Sequence, residues 1–186
     1  MNGKTNFVVG GFERNGGKGQ DDGAITFTYS TQLNLSSSFY GDDLLYTRIK
    51  SGNFGNSVFA SKTYGNYLSA TTSYDNVVKI DKIWYQFPIG DNFTVAAGPL
   101  LDQDDLLPTT LSTYSNTGTL DAYLMEPGGI ATHGLTGSGA AIAFNSDNGF
   151  NASANIISTL GANSTQGMLT SEGLDIVTLS AGYDSI

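Results

Sequence analysis

The acidic residues of one long segment are the side chains of this sequence best placed to do chemistry. Residues 101–135 contain no Lys or Arg but hold five carboxylates, which are Asp102, Asp104, Asp105, Asp121 and Glu126. The segment also has Leu and Met residues that would pack it against a wall. Two interpretations stay open. The segment folds inward and narrows a water-filled passage with its carboxylates, or it is an acidic loop that faces bulk water.

Three basic residues, Arg48, Lys50 and Lys82, have the same parity in their predicted strands as Trp84. Side chains of one parity share a face of a strand, so all four are predicted to line one surface. Facing the acidic segment, the cations would set up a transverse field across a passage. The alternative is that they pair with acidic neighbours or lie at the rim. Trp84 would stack on sugar rings or simply pack under a loop.

Other kinds of site have weaker support in the sequence. The chain has one His, His133, and no Cys, so a transition-metal site, a nucleophilic triad and disulfides are not expected. Residues 102–105 lack the ligand spacing of an EF-hand. Residues 16–19 are glycine-rich but precede a predicted strand, unlike a phosphate-binding loop, which precedes a helix. We therefore predict no enzyme activity, no metal and no cofactor.

The composition indicates strands and turns. The 186 residues include 24 Gly, 10 Tyr and 10 Phe, residue types that favour these structures. Only 13% of the residues are charged, against about 25% in ordinary soluble domains. With 39% hydrophobic residues, this fits a wall with one apolar face and one neutral polar face. The net charge of −9 argues against nucleic acid as a partner, and no apolar run is long enough for a membrane-spanning helix.

The clearest predicted strand covers residues 24–37. Apolar residues of odd number alternate with uncharged polar residues of even number, which predicts one apolar and one polar face. At roughly 12 residues, this strand is longer than the usual 5–6 and suits a tilted membrane-crossing strand of about 9–11. The alternation predicts seven further strands, at 4–11, 43–50, 77–87, 93–100, 136–145, 150–159 and 174–183. It also places Lys79 and Asp81 outward, on the face of Ile83.

Short and long connections alternate between these strands. The short ones are 38–42, 88–92 and 145–149, and the long ones are 12–23, 51–76, 101–135 and 160–173. In an antiparallel up-and-down meander, all short turns then lie at one end, as in outer-membrane barrels. Aromatic residues flank the short turns and would form an interfacial girdle; they are Phe39, Tyr40, Phe87, Phe93, Phe144 and Phe150. We predict an all-β, antiparallel up-and-down transmembrane barrel, of which about eight strands are present.

Two blocks of the chain resemble segments typical of cyanobacterial outer-membrane porins. They are residues 39–55, FYGDDLLYTRIKSGNFG, and residues 76–99, NVVKIDKIWYQFPIGDNFTVAAGP. The resemblance runs from about residue 5 to the end and is to porins near the carbohydrate-selective, OprB-type family, some of which are labelled iron-uptake porins. It implies an outer-membrane barrel of about 14–16 strands, a homotrimer, and a surface-layer-homology domain ahead of the barrel. Neither that domain nor a signal peptide is found here, so a fragment is expected.

The sequence and the resemblance lead to one expectation and several competitors. Residues 1–186 are expected to be the N-terminal portion of a porin barrel that contacts outer-membrane lipid and lets sugars and inorganic ions diffuse passively. A secreted or surface-displayed β-protein that binds carbohydrate or mediates adhesion is the main alternative. A complete eight-stranded barrel and a barrel-bound enzyme are two others. The deciding surface is that of Ile25, Phe27, Leu33 and Leu35, which contacts lipid in a porin and is buried in a soluble fold.

Overall fold

A computed structural model describes residues 1–11, 24–60, 72–103, 105–106 and 135–183. Eight strands and two short 3₁₀ turns make up its regular structure. The strands are β1 Asn2–Gly10, β2 Thr26–Ser37, β3 Leu44–Gly52, β4 Lys79–Ile89, β5 Phe93–Asp102, β6 Thr136–Asn145, β7 Phe150–Ser158 and β8 Asp175–Tyr183, and the 3₁₀ turns are Phe54–Asn56 and Val58–Ala60. All eight predicted strands are present, and their ends differ from the prediction by two residues at most.

Every strand pairs antiparallel with the strand that follows it, so the sheet has the order β1 to β8. This confirms the prediction of an all-β, antiparallel up-and-down fold. The sheet is not closed, because β1 and β8 each pair with one neighbour and form its two edges. Within the described ranges, no helix has the length and apolar character needed to cross a membrane.

The two faces of the sheet differ in chemistry. Residues opposite each other in neighbouring strands share a face, and the pairing aligns Phe7 with Tyr29, and Val9 with Phe27. The apolar face therefore carries large side chains that are exposed, among them Phe7, Val9, Phe27, Leu33, Ile80, Phe87, Ile142, Val177 and Leu179. The polar face carries buried hydroxyls, amides and an ammonium, among them Thr28, Ser30, Lys82, Asn151, Ser153 and Asn155.

The short turns lie together at one end of the sheet and hold positive-φ glycines. Gly41, Gly90 and Gly149 occupy these three turns with φ of 105°, 63° and 89°. Such values are accessible to glycine at little steric cost, so each turn can reverse the chain within a few residues. The predicted concentration of aromatics at this end is confirmed by ring contacts within and between the chain segments beside the short turns. They are Phe39–Tyr85, Tyr85–Phe87, Phe93–Phe144 and Phe144–Phe150.

A β-bulge corrects the predicted faces of β4. Arg48 pairs with Lys82, but the next residue of β3, Ile49, pairs with Ile80, so Asp81 is an extra residue in the ladder. The Asp81 carboxylate contacts Arg48 and Lys50 on the polar face, and Lys79 pairs with Lys50 beyond the bulge. The prediction that Asp81 and Lys79 point outward is wrong, because a bulge breaks the strict alternation on which it relied.

Candidate functional site

The described parts of two long connections lie over the polar face, and the candidate site lies between them and the strands. The first connection follows β3, and we call residues 53–60 and 72–76 the cover segment. Phe54 within it is fully buried. Its backbone N–H donates to the Thr72 carbonyl at 3.2 Å, and the Thr72 and Ser30 hydroxyls hydrogen-bond at 2.9 Å. The cover segment is therefore fastened to the polar face of β2.

Glycines allow this segment to lie close to the strands. A Cβ on Gly52 would lie 2.5 Å from the Thr72 carbonyl oxygen, which is shorter than any tolerated contact. A Cβ on Gly10 would lie 3.2 Å from the Phe59 ring, and Gly10 pairs with Thr26 on the polar face. The absence of side chains at these positions lets the backbone of the cover segment approach the sheet directly.

The second connection follows β5, and we call residues 102, 103, 105 and 106 the strap. Gln103 is 1% exposed, and its side-chain NH₂ donates to the Thr178 hydroxyl of β8 at 2.6 Å. The Asn155 side chain of β7 donates to the Gln103 carbonyl at 2.6 Å. Since β7 and β8 are two and three strands away from β5, the strap crosses the polar face instead of leaving the sheet.

Lys82 of β4 binds the strap through two carboxylates. Its ammonium lies 2.5 Å from Asp102 Oδ2 and 2.9 Å from Asp105 Oδ1. Only 6% of Lys82 is exposed. A charge removed from water to this extent is stable only when it is paired, and here two carboxylates pair with one ammonium.

Arg48 and Lys50 form the adjoining part of the same charged network. Arg48 donates from Nε and Nη2 to the two oxygens of Asp81, both at 2.8 Å, a bidentate geometry that fixes the guanidinium plane. Lys50 Nζ lies 3.0 Å from Asp81, and Arg48 is 3.9 Å from Asp102. The network holds three cations and three carboxylates, so its formal charges cancel.

Trp84 lies beneath the strap. Its ring centroid is 5.1 Å from that of Tyr46. It belongs to a buried cluster with Ala96, Leu101, Ala141 and Ile157, against which Leu106 packs. The arrangement is the one expected of an aromatic residue that packs under a loop, and it leaves little of the indole surface free to stack on a sugar ring.

The structure thus brings together six charged residues from three strands and the strap. Arg48, Lys50, Lys82, Asp102 and Asp105 were candidates from the sequence, and Trp84 lies next to them. Asp104, Asp121, Glu126 and His133 lie outside the described residues, as does the glycine-rich segment 16–19. In the parts of the chain that the structure describes, no group of three or more His, Cys, Asp or Glu residues could hold a metal ion.

Sequence reasoning missed Asp81, Gln103 and the cover segment. Asp81 is next to Lys82 in the chain, and this pair of opposite charges could have suggested that Asp81 joins the charged network. The bulge that turns Asp81 toward the polar face cannot be recognised from the local sequence. Gln103 is one uncharged residue inside an acidic segment. Phe54 is the one aromatic residue of the described cover segment that is fully buried.

A further carboxylate, outside this charged network, lies in the turn between β2 and β3. Asp43 is mostly buried, which by itself raises the pKa of its carboxyl group. Hydrogen bonds from the Ser38 hydroxyl, the backbone N–H groups of Tyr40 and Phe39 and the Tyr85 hydroxyl outweigh that effect. They hold the pKa of Asp43 well below its usual range, because each donor stabilises the charged form.

Comparisons with known proteins give one partial likeness. The chain is 33% identical over 94 residues to the uncharacterized protein sll0772 of Synechocystis sp. (strain ATCC 27184 / PCC 6803 / Kazusa). The matched region is 50% of this chain and 17% of that protein, so the chain spans a small part of the relative's length. No family model matches the chain, and no solved structure matches it at a significant level.

Proposed function

We propose that this chain forms part of the wall of an outer-membrane porin, a water-filled channel through which small hydrophilic solutes such as sugars and inorganic ions diffuse passively. The proposal needs no energy source, no cofactor and no enzymatic step. It includes a location in the outer membrane and, from the sequence resemblance, assembly as a homotrimer. The observation that carries it is the distribution of polarity between the two faces of the sheet.

The large apolar side chains of the sheet face outward without a covering layer in the described structure. Phe27 is 70% exposed and Leu179 is 77% exposed, and the hydroxyls and amides on the opposite face are buried. A sheet that packs on a soluble core has the reverse arrangement, with one apolar face packed inside and one polar face solvated. Lipid is the solvent that would stabilise the exposed apolar face, as on the outside of a membrane barrel.

Two further features support the proposal. The aromatic contacts lie along the short-turn end, where a membrane barrel places aromatic residues at the lipid–water interface. The long connections start at the opposite end, and the described parts of two of them lie over the polar face, as connections that narrow a lumen do. The edges of β1 and β8 require further strands in this proposal, because unpaired backbone amides cost several kcal/mol each in lipid.

In the proposed channel, the charged network would line the passage beside the strap. Solutes would pass beside the cover segment and the strap, because the hydroxyls and amides beneath these segments are buried and paired within the protein. The passage would be narrowed by the cover segment and the strap, so its width would depend on how firmly both are held.

The main alternative is a secreted or surface-displayed β-protein that binds carbohydrate or mediates adhesion. That protein would need a second layer, or a partner, to bury the apolar face in water, since contiguous exposed apolar surface of this extent is rare on soluble monomers. The Trp84 ring, which such a protein would use for stacking on sugars, is buried under the strap, and the Tyr46 ring packs against it. We therefore prefer the porin.

Planar bilayer recordings of the full-length protein test the proposal. We expect stable single-channel steps that scale with salt concentration, because the current passes through water. A reversal potential under a KCl gradient would report ion preference. A folded protein that inserts into bilayers but carries no current would contradict the diffusion channel. A protein that stays soluble and monomeric without detergent would favour the carbohydrate-binding alternative.

A further inference from the structure

We propose that Lys82 is a positioning residue that clamps the strap onto the polar face, and that Asp102 and Asp105 serve this clamp and are not offered to permeating ions. The inference deepens the proposed function and rests on it. It also differs from the expectation that these carboxylates face wall cations across an open passage. In the structure, the two sets of charges are in direct contact.

The geometry around Lys82 is that of an anchor. Its ammonium is buried and reaches one carboxylate at the end of β5 and one within the strap. Asp105 Oδ2 also accepts the backbone N–H of Asp102 at 2.8 Å, and the Thr136 hydroxyl of β6 donates to Asp102. Each of the four carboxylate oxygens therefore has a partner within the protein, and Lys82 is the cation in contact with both carboxylates.

The remainder of the strap depends on the same anchor point. The turn at Asp102 and Asp105 sets the direction in which Gln103 crosses toward β7 and β8. The backbone N–H of Gln103 donates to Leu135 O at 3.0 Å, and the Asp105 N–H donates to Asp102 O at 3.0 Å. If the ammonium is removed, Asp105 loses the cation that contacts it and Asp102 keeps only the guanidinium of Arg48 at 3.9 Å. The two carboxylates then repel each other, so these backbone hydrogen bonds should open more often.

Hydrogen exchange measures the clamp without relying on channel activity. We would compare the full-length protein with Lys82→Met and Asp105→Asn, following the backbone amides of Asp102, Gln103 and Asp105. Each substitution removes one charge and keeps nearly the same shape. We expect these amides to exchange on the order of tenfold faster in both variants, because local opening becomes easier. Lys50→Met is the matched control: it removes a neighbouring cation that contacts Asp81 and not the strap.

Three results decide this part of the inference. Faster exchange in Lys82→Met and Asp105→Asn, with wild-type exchange in Lys50→Met, supports the clamp. Unchanged exchange of the strap amides in Asp105→Asn overturns it, even if Lys82→Met does not fold. Equal acceleration in Lys50→Met also overturns it, because the effect would then be a general loosening. Lys82→Arg, which keeps the charge, should retain most of the protection.

Bilayer recordings then test what the clamp does for the channel. Lys82→Met and Asp105→Asn change the formal charge in opposite directions, yet we expect the open-channel conductance to rise in both, because both release the strap. Conductance changes of opposite sign for the same ion would overturn the inference in favour of a charge filter. If the wild-type protein forms no channel, the proposed function fails, and the exchange experiment still decides whether Lys82 clamps the strap.

Discussion

The apolar and the polar face of the sheet are built from alternate residues of the same eight strands, yet they have different surroundings. On the apolar face, side chains such as Phe27 and Leu179 stand exposed with no described segment over them. On the polar face, the cover segment and the strap bury hydroxyls, amides and Lys82. In the described residues, the parts of the long connections that follow β3 and β5 therefore cover polar groups, and no segment covers the apolar side chains.

This difference shows that alternation alone does not tell which face is the interior. An alternating strand has the same pattern whether its apolar side faces a core or lipid. The direction is decided by where the connections fold, and here Phe54 and Gln103 hold the described parts of two connections on the polar side. Four predictions test this contrast, from the largest expected effect to the smallest.

The cover segment should depend strongly on Phe54. We expect Phe54→Ala to lower the free energy of unfolding by about 3–5 kcal/mol, because a fully buried ring leaves a cavity. Phe27→Ala on the apolar face should cost less, about 1.5–3 kcal/mol, since lipid or detergent can fill the space. Denaturant unfolding in lipid vesicles measures both. Equal losses would mean that the two rings have similar surroundings, and the contrast between the faces would be lost.

A charge should be tolerated on one face and not on the other. Leu179 and Ser180 are neighbours near the middle of β8 and point to opposite faces. We expect Leu179→Arg to destabilise the protein in vesicles by about 2–4 kcal/mol, the cost of a charge at mid-depth in lipid, and Ser180→Arg to have a much smaller effect. If Leu179→Arg proves harmless, the apolar face does not contact lipid.

The short-turn end should be sensitive to acid through Asp43. Because the pKa of Asp43 is lowered by folding, its charged form stabilises the protein above the ordinary carboxyl pKa of about 3.9. This contribution is lost as the pH falls toward the lowered value. Asp43→Asn removes it, so the melting temperatures of the variant and the wild type should converge on acidification. Profiles that stay parallel between about pH 5 and about pH 2 would contradict the assignment.

The smallest expected effect concerns a pair of hydroxyl groups on the apolar face. Thr5 and Thr31 hydrogen-bond to each other at 2.8 Å on that exposed surface. In lipid, Thr5→Val should cost about 0.6 kcal/mol, since Thr31 loses this partner in a medium with little water. The double variant with Thr31→Val should recover most of that loss, because it leaves no unpaired hydroxyl. In water, neither variant should have a measurable effect.

The sequence predicted the strands well because each strand has its own local signal. The alternation of residues 24–37 and the glycines at positions 41, 90 and 149 act over a few residues, and no distant contact is needed to interpret them. The basic side of the charged network was predicted for the same reason, since Arg48, Lys50 and Lys82 share a parity. Whether the sheet closes into a membrane barrel stays a prediction.

The features that the sequence did not reveal depend on contacts between distant residues. Ser30 and Thr72 are separated by 42 residues, and Gln103 and Thr178 by 75. Hydroxyls and amides of this kind occur throughout the chain, so their types do not say which ones pair. The direct contact of Lys82 with Asp102 and Asp105 was considered in general terms, as pairing with acidic neighbours, but the partners could not be named.

Because Asp81 is the extra residue of the bulge in β4, it could be lost without changing the pairing of the other residues of the strand. Ile80 and Lys82 flank it and already lie on the faces that a regular strand would give them, since they pair with the adjacent residues Ile49 and Arg48. An in-frame deletion of the Asp81 codon would therefore close the ladder without turning any other side chain to the wrong face. A single codon deletion or insertion can therefore remove or add a negative charge beside Arg48 and Lys50, while the strand pairing of the rest of the sheet is unchanged.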